Sequence, residues 1–230
     1  MMGITACGAA GGAVSSGAVS RGARPTFVLL VRHGVTPTTG VKLPGRAPGL
    51  HLSDEGRRQA EAAARRIAEL RHVTAVYASP IDRARETAVP IAQALGIALR
   101  IERDLAEVDI GEFTGLSMAQ AHRRKEWPTI QNHPSGFRFP EGESFMEVQT
   151  RMTAAIARFV ERHRGGTIVA VSHADPIKLF TAHALGTPLD LFQRIVIATA
   201  SITVIAWPRD VPGVLTVNSV DGHLGAYGLT

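Results

Sequence analysis

Short, continuously apolar runs alternate along this chain with longer stretches whose apolar positions recur every three or four residues. The first run, Phe27 to Val31, stands between Pro25 and Gly34 and reads as a strand covered on both faces. Ser53 then caps a helix whose first turn holds Asp54 and Glu55, and Ala60, Ala63, Ala64, Ile67 and Leu70 give it one apolar face. Val73 to Ala78 predicts a second strand. Pro80 opens a second helix, and Gly96 closes it. Ile97 to Ile101 predicts a third strand, and residues 117–125 a short helix. Trp127 to Gly142, with three prolines, shows no period. Ser144 and Glu147 form a capping box for a helix ending near Arg162. Thr167 to Val171 predicts another strand, and Asp175-Pro176 starts a helix that Gly186 ends. Arg194 to Ala198, Ile202 to Trp207 and Val214 to Val217 predict three closing strands, the last at an edge.

Strands alternating with helices predict an α/β protein, a mostly parallel sheet covered on both faces. The closely joined final strands predict an antiparallel member. With 230 residues, the expectation is one domain over 26–222. A Gly-, Ala- and Ser-rich leader over 1–25 is expected to be disordered, and 223–230 to form a tail. A secretory signal fits poorly, because Arg21 and Arg24 come last and Gly interrupts each apolar run.

The single cysteine, Cys7, rules out an internal disulfide and a cysteine-based zinc site. It suits a cytoplasmic protein. No apolar run approaches the roughly 20 residues of a spanning helix, so no membrane is expected. The net charge of +5 is carried almost wholly by arginine; the lysines are Lys42, Lys125 and Lys178. No basic run is interleaved with aromatics, which argues against nucleic acid as a partner and for a small acidic molecule. A homodimer remains open.

Chemistry-bearing residues fall where strands end. The first strand delivers Arg32-His33, the second Ser79 followed by Arg83, and the strand near 170 Ser172-His173; the loop after the third adds Glu107. In an open α/β sheet such carboxyl ends share one crevice. Guanidinium matches phosphate oxygens two at a time, and neutral imidazole has a lone pair to attack with. A phosphomonoester therefore gives each residue a task. Arg32, Arg83 and His173 would bind it, His33 would attack phosphorus, and Glu107 would protonate the leaving oxygen. No metal or other cofactor is needed. Against this, Arg83 and Arg85 could be ordinary surface arginines, and Glu107 one of several solvated acids beside Asp104, Asp109 and Glu112.

Taken together, Arg-His-Gly-x-Thr at 32–36, Ser79-Pro80 with Arg83 and Arg85-Glu86-Thr87, Leu105-x-Glu107 with Gly111 and Gly115, and Ser172-His173 resemble the histidine phosphatase superfamily, the phosphoglycerate-mutase-like group. Within it the chain most resembles actinobacterial phosphomutases and phosphatases, through Val41 to Gly49 and Phe192 to Val196. The resemblance implies a three-layer α/β/α sandwich around a mixed sheet with one antiparallel strand. It implies a phosphohistidine at His33, a pocket of Arg32, Arg83 and His173 to which Thr36, Thr39, Gly45 and Ala174 contribute, and Glu107 as proton donor. Thr39 and Ala174 depart from the group, which often has Asn and Gly there. Residues 117–143 would form a cap over the site, with Arg123, Arg124, Lys125 and Arg138 as its basic residues. Phosphatase action is the first expectation, because that cap is short. The alternatives are a phosphomutase and a non-catalytic phospholigand-binding module, the latter disfavoured by an intact His33 and Glu107.

Overall fold

The computed structural model describes residues 24–208 and 210–229, so nearly all of the leader read over 1–25 lies outside the described residues. The chain forms a six-stranded sheet in the order β3-β2-β4-β1-β5-β6. The strands are β1 (Thr26–Arg32), β2 (Val73–Ala78), β3 (Leu99–Ile101), β4 (Thr167–Ser172), β5 (Ile202–Trp207) and β6 (Gly213–Ser219). β1 to β4 are mutually parallel where they pair, while β5 pairs antiparallel with both β1 and β6. One strand, β5, thus runs against the other five.

Side chains alternate across β1. Phe27, Leu29 and Val31 pack with Ala64, Ile67, Ala88 and Ile91 of helices α1 (Asp54–Ala68) and α2 (Asp82–Leu95). Val28 and Leu30 face the other way, toward Met152, Ile156 and Phe159 of α5 (Phe145–Arg162) and Ile177 and Phe180 of α6 (Ala174–Leu185). The result is the three-layer α/β/α sandwich. The caps are as expected: Ser53 accepts from the Gly56 amide, Ser144 and Glu147 close a capping box, and Gly96 and Gly186 end their helices in the left-handed region.

Several boundaries differ from the sequence reading: β3 begins at Leu99 rather than Ile97, and the helix read over 117–125 covers only Met118–His122. α2 begins at Asp82, two residues after Pro80, and carries Pro90 within it. Residues 127–142 are not structureless: α4 covers Trp127–Asn132 and a 3-10 turn covers Pro134–Gly136. Pro128 stands in the first turn of α4, where its missing N–H costs nothing, so it starts a helix rather than breaking one. Residues 194–198 form no strand; a 3-10 turn runs to Arg194 and the Ile197 carbonyl is turned toward Arg32. The stretch read as a tail is part of the core, since Leu224 and Leu229 are buried with the α1 and α2 cluster. No helix among the described residues is long and apolar enough to cross a membrane.

A third apolar cluster anchors the 117–143 segment, which also holds α3 (Met118–His122). Phe113, Phe137, Phe139, Phe145 and Phe192 pack there, with ring centroids 4.9–5.4 Å apart along the chain of contacts. Most pairs meet edge to face, an arrangement that adds about 0.5–1.5 kcal/mol each beyond area burial.

Candidate active site

Because β2, β4 and β1 are neighbours, their carboxyl ends bring Ser79, Ser172-His173 and Arg32-His33 to one rim of the sheet. His33 is buried, and its Nδ1 lies 2.7 Å from the Gly34 carbonyl. Nδ1 therefore carries the proton and donates it, leaving the lone pair on Nε2. Arg83 Nε donates to that Nε2 at 3.2 Å. Burial, then the charges of Arg83 and Arg32, push the His33 imidazole down to about 3, with the Gly34 carbonyl opposing. The ring is thus neutral, with its free nitrogen between cations.

Arg83 is completely buried in the first turn of α2. Its Nη2 donates to the Gly45 carbonyl at 2.9 Å. Arg32 Nη1 donates to the Ile197 carbonyl at 2.7 Å. Arg32 Nε and Arg83 Nη1 are buried without a protein partner, and so is His173 Nδ1. The His173 Nε2 lies 2.8 Å from Ser79 Oγ, and its ring centroid is 5.2 Å from that of His33. A buried donor without an acceptor costs about 1–3 kcal/mol. Three such nitrogens around one imidazole form a cradle for an anion.

Glu107 follows β3 on a loop tied down by Ser172 Oγ, which donates to the Leu105 carbonyl at 2.7 Å. The only hydrogen bond to its carboxyl among the described residues comes from the Val108 amide at 3.0 Å. Burial, then the charge of Asp175, push Glu107 up to about 7; Arg83, the Val108 amide and Arg32 act in the opposite sense. Glu107 can therefore hold a proton near neutrality.

The cleft over these groups measures about 590 Å³. Of the residues singled out from the sequence, Arg32, His33, Thr36, Thr39, Arg83, Glu107 and Ala174 line it. Gly45 and His173 do not. Gly45 acts from behind, through the carbonyl that holds Arg83. His173 lies beneath the wall, fully buried. Thr39 Oγ1 accepts from the Thr36 amide at 2.9 Å, so it shapes the loop as much as it faces the cleft. Arg85 is turned outward, 3.7 Å from Asp82.

Several residues not assigned to the site from the sequence belong to it or support it. Thr87 Oγ1 accepts from the Gly34 amide at 3.0 Å and donates to the Arg83 carbonyl at 2.7 Å, joining the His33 loop to Arg83. Lys42, Trp127, Asp175, Lys178 and Gln193 line the outer cleft. Their one signal was rarity: two of only three lysines reach this cleft. The arginines expected to serve the cap do not line it. Arg124 is 3.2 Å from Glu112, and Arg138 is paired with Glu147. Among the described residues no cluster of His, Cys, Asp or Glu has the geometry of a metal site.

An anion cradle around a neutral histidine, at the carboxyl edge of a mixed sheet inside an α/β/α sandwich, is the architecture of a phosphate-handling α/β protein. Residues 28–220 match the histidine phosphatase superfamily (branch 1), and the chain belongs to that family. A bifunctional protein of Mycobacterium tuberculosis is 33% identical over 207 residues, which are 87% of this chain and 55% of that protein. The chain thus spans about half the length of that relative. Phosphoserine phosphatase 1 of Hydrogenobacter thermophilus is 28% identical over 205 residues, 87% of this chain and 95% of that one. The solved structure of a mycobacterial glucosyl-3-phosphoglycerate phosphatase shares the fold, with a TM-score of 0.77 at 24% identity, over 85% of this chain and 100% of that one.

Proposed function

We propose that this chain is a phosphatase that hydrolyses a small phosphomonoester, without a metal, through a phosphohistidine at His33. The observation that carries the reading is the state of His33: Nδ1 held by the Gly34 carbonyl, Nε2 free of protons, and unpartnered nitrogens of Arg32, Arg83 and His173 around it. A phosphate monoester carries about −1.5 to −2 charges at pH 7, and those nitrogens would take its oxygens. α6 adds its N-terminus, because Ala174 and Asp175 line the cleft. His33 Nε2 attacks phosphorus as the bond to the ester oxygen breaks, and Glu107 gives that oxygen its proton. Glu107, then ionised, takes a proton from water as the water displaces His33. If Ser79 donates its hydroxyl proton to His173 Nε2, the ring proton sits on Nδ1, and His173 is a donor to phosphate.

A cleft of about 590 Å³ suits a small metabolite rather than a protein surface. Residues 117–143 act as its cap, through Met118, His122, Trp127 and Gln131. A mutase must also retain a second phosphate. The basic cap residues that would have served it do not line the cleft, which favours water as acceptor. The names of the phosphoserine and glucosyl-phosphoglycerate phosphatases support a phosphorylated small molecule as substrate.

The test is a panel of phosphorylated metabolites assayed for free phosphate and for isomerised product, with acid and base quenches of labelled enzyme. A label lost in acid and kept in base, absent from His33→Ala, is the expected result. Undiminished turnover in His33→Ala would sink the assignment.

A further inference from the structure

Glu107 is held by its backbone as much as by its surroundings. Its carbonyl accepts two charge-assisted hydrogen bonds, from Arg46 Nε at 2.8 Å and from Arg151 Nη2 at 3.1 Å. Both guanidiniums also converge on Glu143. Arg46 Nη2 reaches Glu143 Oε2 at 2.7 Å, while Arg151 donates to both carboxylate oxygens at 3.1 Å. The same carboxylate accepts from the Asp109 amide at 3.0 Å, and the Glu143 amide donates to the Asp109 carbonyl at 2.8 Å. Arg151 Nη1 takes the Asp104 carbonyl at 2.6 Å. Residues 104–109 are thus gripped from two distant parts of the chain: Arg46 in the loop after β1, and Glu143 and Arg151 just before α5 and in its second turn.

The clamp also fixes a distance. Arg46 follows Gly45, whose carbonyl holds Arg83. One peptide link therefore joins the anchor of a phosphate-binding guanidinium to the anchor of Glu107. The joint is tight, since a Cβ at Gly45 would come within 2.8 Å of Ile110 Cγ1. Glu143 stays ionised: burial works against it, but the Arg151 hydrogen bond, the Asp109 amide and Arg46 bring its carboxyl below the ordinary range. Ionic hydrogen bonds of this kind are shorter and roughly twice as strong as neutral ones. A partly buried ion pair adds little net stability, but it does specify one geometry.

We propose that Glu143, with Arg46 and Arg151, is a positioning clamp that sets the Glu107 carboxyl against the leaving oxygen of the substrate. This rests on the reading of Glu107 as general acid. The clamp touches neither substrate nor phosphate; its own hydrogen bonds end on residues 104–109. A misplacement on the order of 1 Å can cost about 100-fold. It should cost only where the acid matters.

The experiment uses the full chain and three esters: p-nitrophenyl phosphate, phenyl phosphate and glycerol phosphate. Glu143→Gln should lower kcat about 10- to 100-fold for the latter two. It should change the p-nitrophenyl ester less than about threefold, because that leaving oxygen needs little protonation. KM should stay within about twofold for all three, the phosphate cradle being intact. Should Glu143→Gln fail to fold, Arg46→Lys keeps the charge while losing the fork that spans Glu107 and Glu143, and should give the same pattern more weakly. Equal slowing of every ester, or no slowing of any, overturns the clamp. Glu107→Gln is the parallel control. If it alone shows steep leaving-group dependence, the clamp falls and the acid stands; if it slows all three alike, the acid assignment falls and the clamp with it.

Discussion

Replacing Glu107 by Gln should make this protein more stable even as it slows esters with poor leaving groups, and only above a definite pH. In the folded chain the Glu107 carboxyl lies at about 7, against an ordinary value of 4.5. A raised carboxyl binds its proton more tightly in the folded state than in the unfolded one. Stability from this group is therefore fully present below about 4.5 and is lost as pH rises through about 7. At about 1.4 kcal/mol for each tenfold change in proton affinity, the loss amounts to roughly 3–3.5 kcal/mol by pH 8. Gln keeps the acceptor used by the Val108 amide and carries no charge to bury. The variant should melt about 6–14 °C above the native chain at pH 8, taking roughly 2–4 °C per kcal/mol for a domain of this size. Near pH 4.5 the two should melt together. Thermal unfolding across that range, followed by circular dichroism, measures the difference. A gap that is constant with pH, or one that favours the native chain at pH 8, would refute the reasoning. Burial would then not be what raises Glu107.

The pH profile of kcat/KM should be a bell on the acid side of neutrality. Its alkaline limb reports loss of the Glu107 proton near 7. Its acid limb reports the substrate phosphate near 6 rather than His33, which titrates at about 3. An acid limb unmoved when the second pKa of the phosphate monoester is lowered by an electron-withdrawing leaving group would contradict this. Arg83→Ala should cost about 10²–10³ in kcat, while Arg85→Ala should change it less than about threefold. Equal losses would show that burial had been mistaken for function.

The core of the site was legible because its residues announce themselves at strand ends. Arg32-His33, Ser79 and Ser172-His173 follow apolar runs directly, and parallel pairing of β1, β2 and β4 brings those ends together. What the sequence could not show were contacts without a local period. Arg46, Glu143 and Arg151 meet at Glu107 from 61, 36 and 44 residues away. Charge alone gave the wrong basic residues for the outer cleft, since Arg124 and Arg138 pair with acids away from it, while Lys42 and Lys178, the latter paired with Asp175 at 3.3 Å, line it. The missed α4 and the false strand at 194–198 have separate physical origins. Proline was counted as a breaker where it was an initiator, and the apolar residues Ile195 and Ile197 were counted as strand where they pack from an irregular segment beside the site.

Gly56 separates propensity from packing more sharply. It lies in the first turn of α1, where Ala ought to be better than Gly by about 0.5–1 kcal/mol. Yet a Cβ there would come within 2.1 Å of the Val35 carbonyl oxygen, and a Cβ at Gly34 within 2.4 Å of the Gly56 carbonyl oxygen. The two backbones cross with no room for a methyl. Val35 cannot retreat freely, because its carbonyl takes the Ser53 amide at 3.0 Å and its amide donates to Gln59 at 3.0 Å. Overpacking of this kind costs about 1–3 kcal/mol, which outweighs the gain in helix propensity. The displaced residue adjoins Gly34, whose carbonyl sets the His33 tautomer and whose amide is tied to Thr87. Gly56→Ala should therefore lower the melting temperature by about 2–8 °C and lower kcat by about 10-fold or more. Both follow from one variant more than 20 residues along the chain from His33. If the variant is instead stabilised and fully active, helix propensity has won, and the close crossing of the nucleophile loop over α1 is not what holds His33 in place.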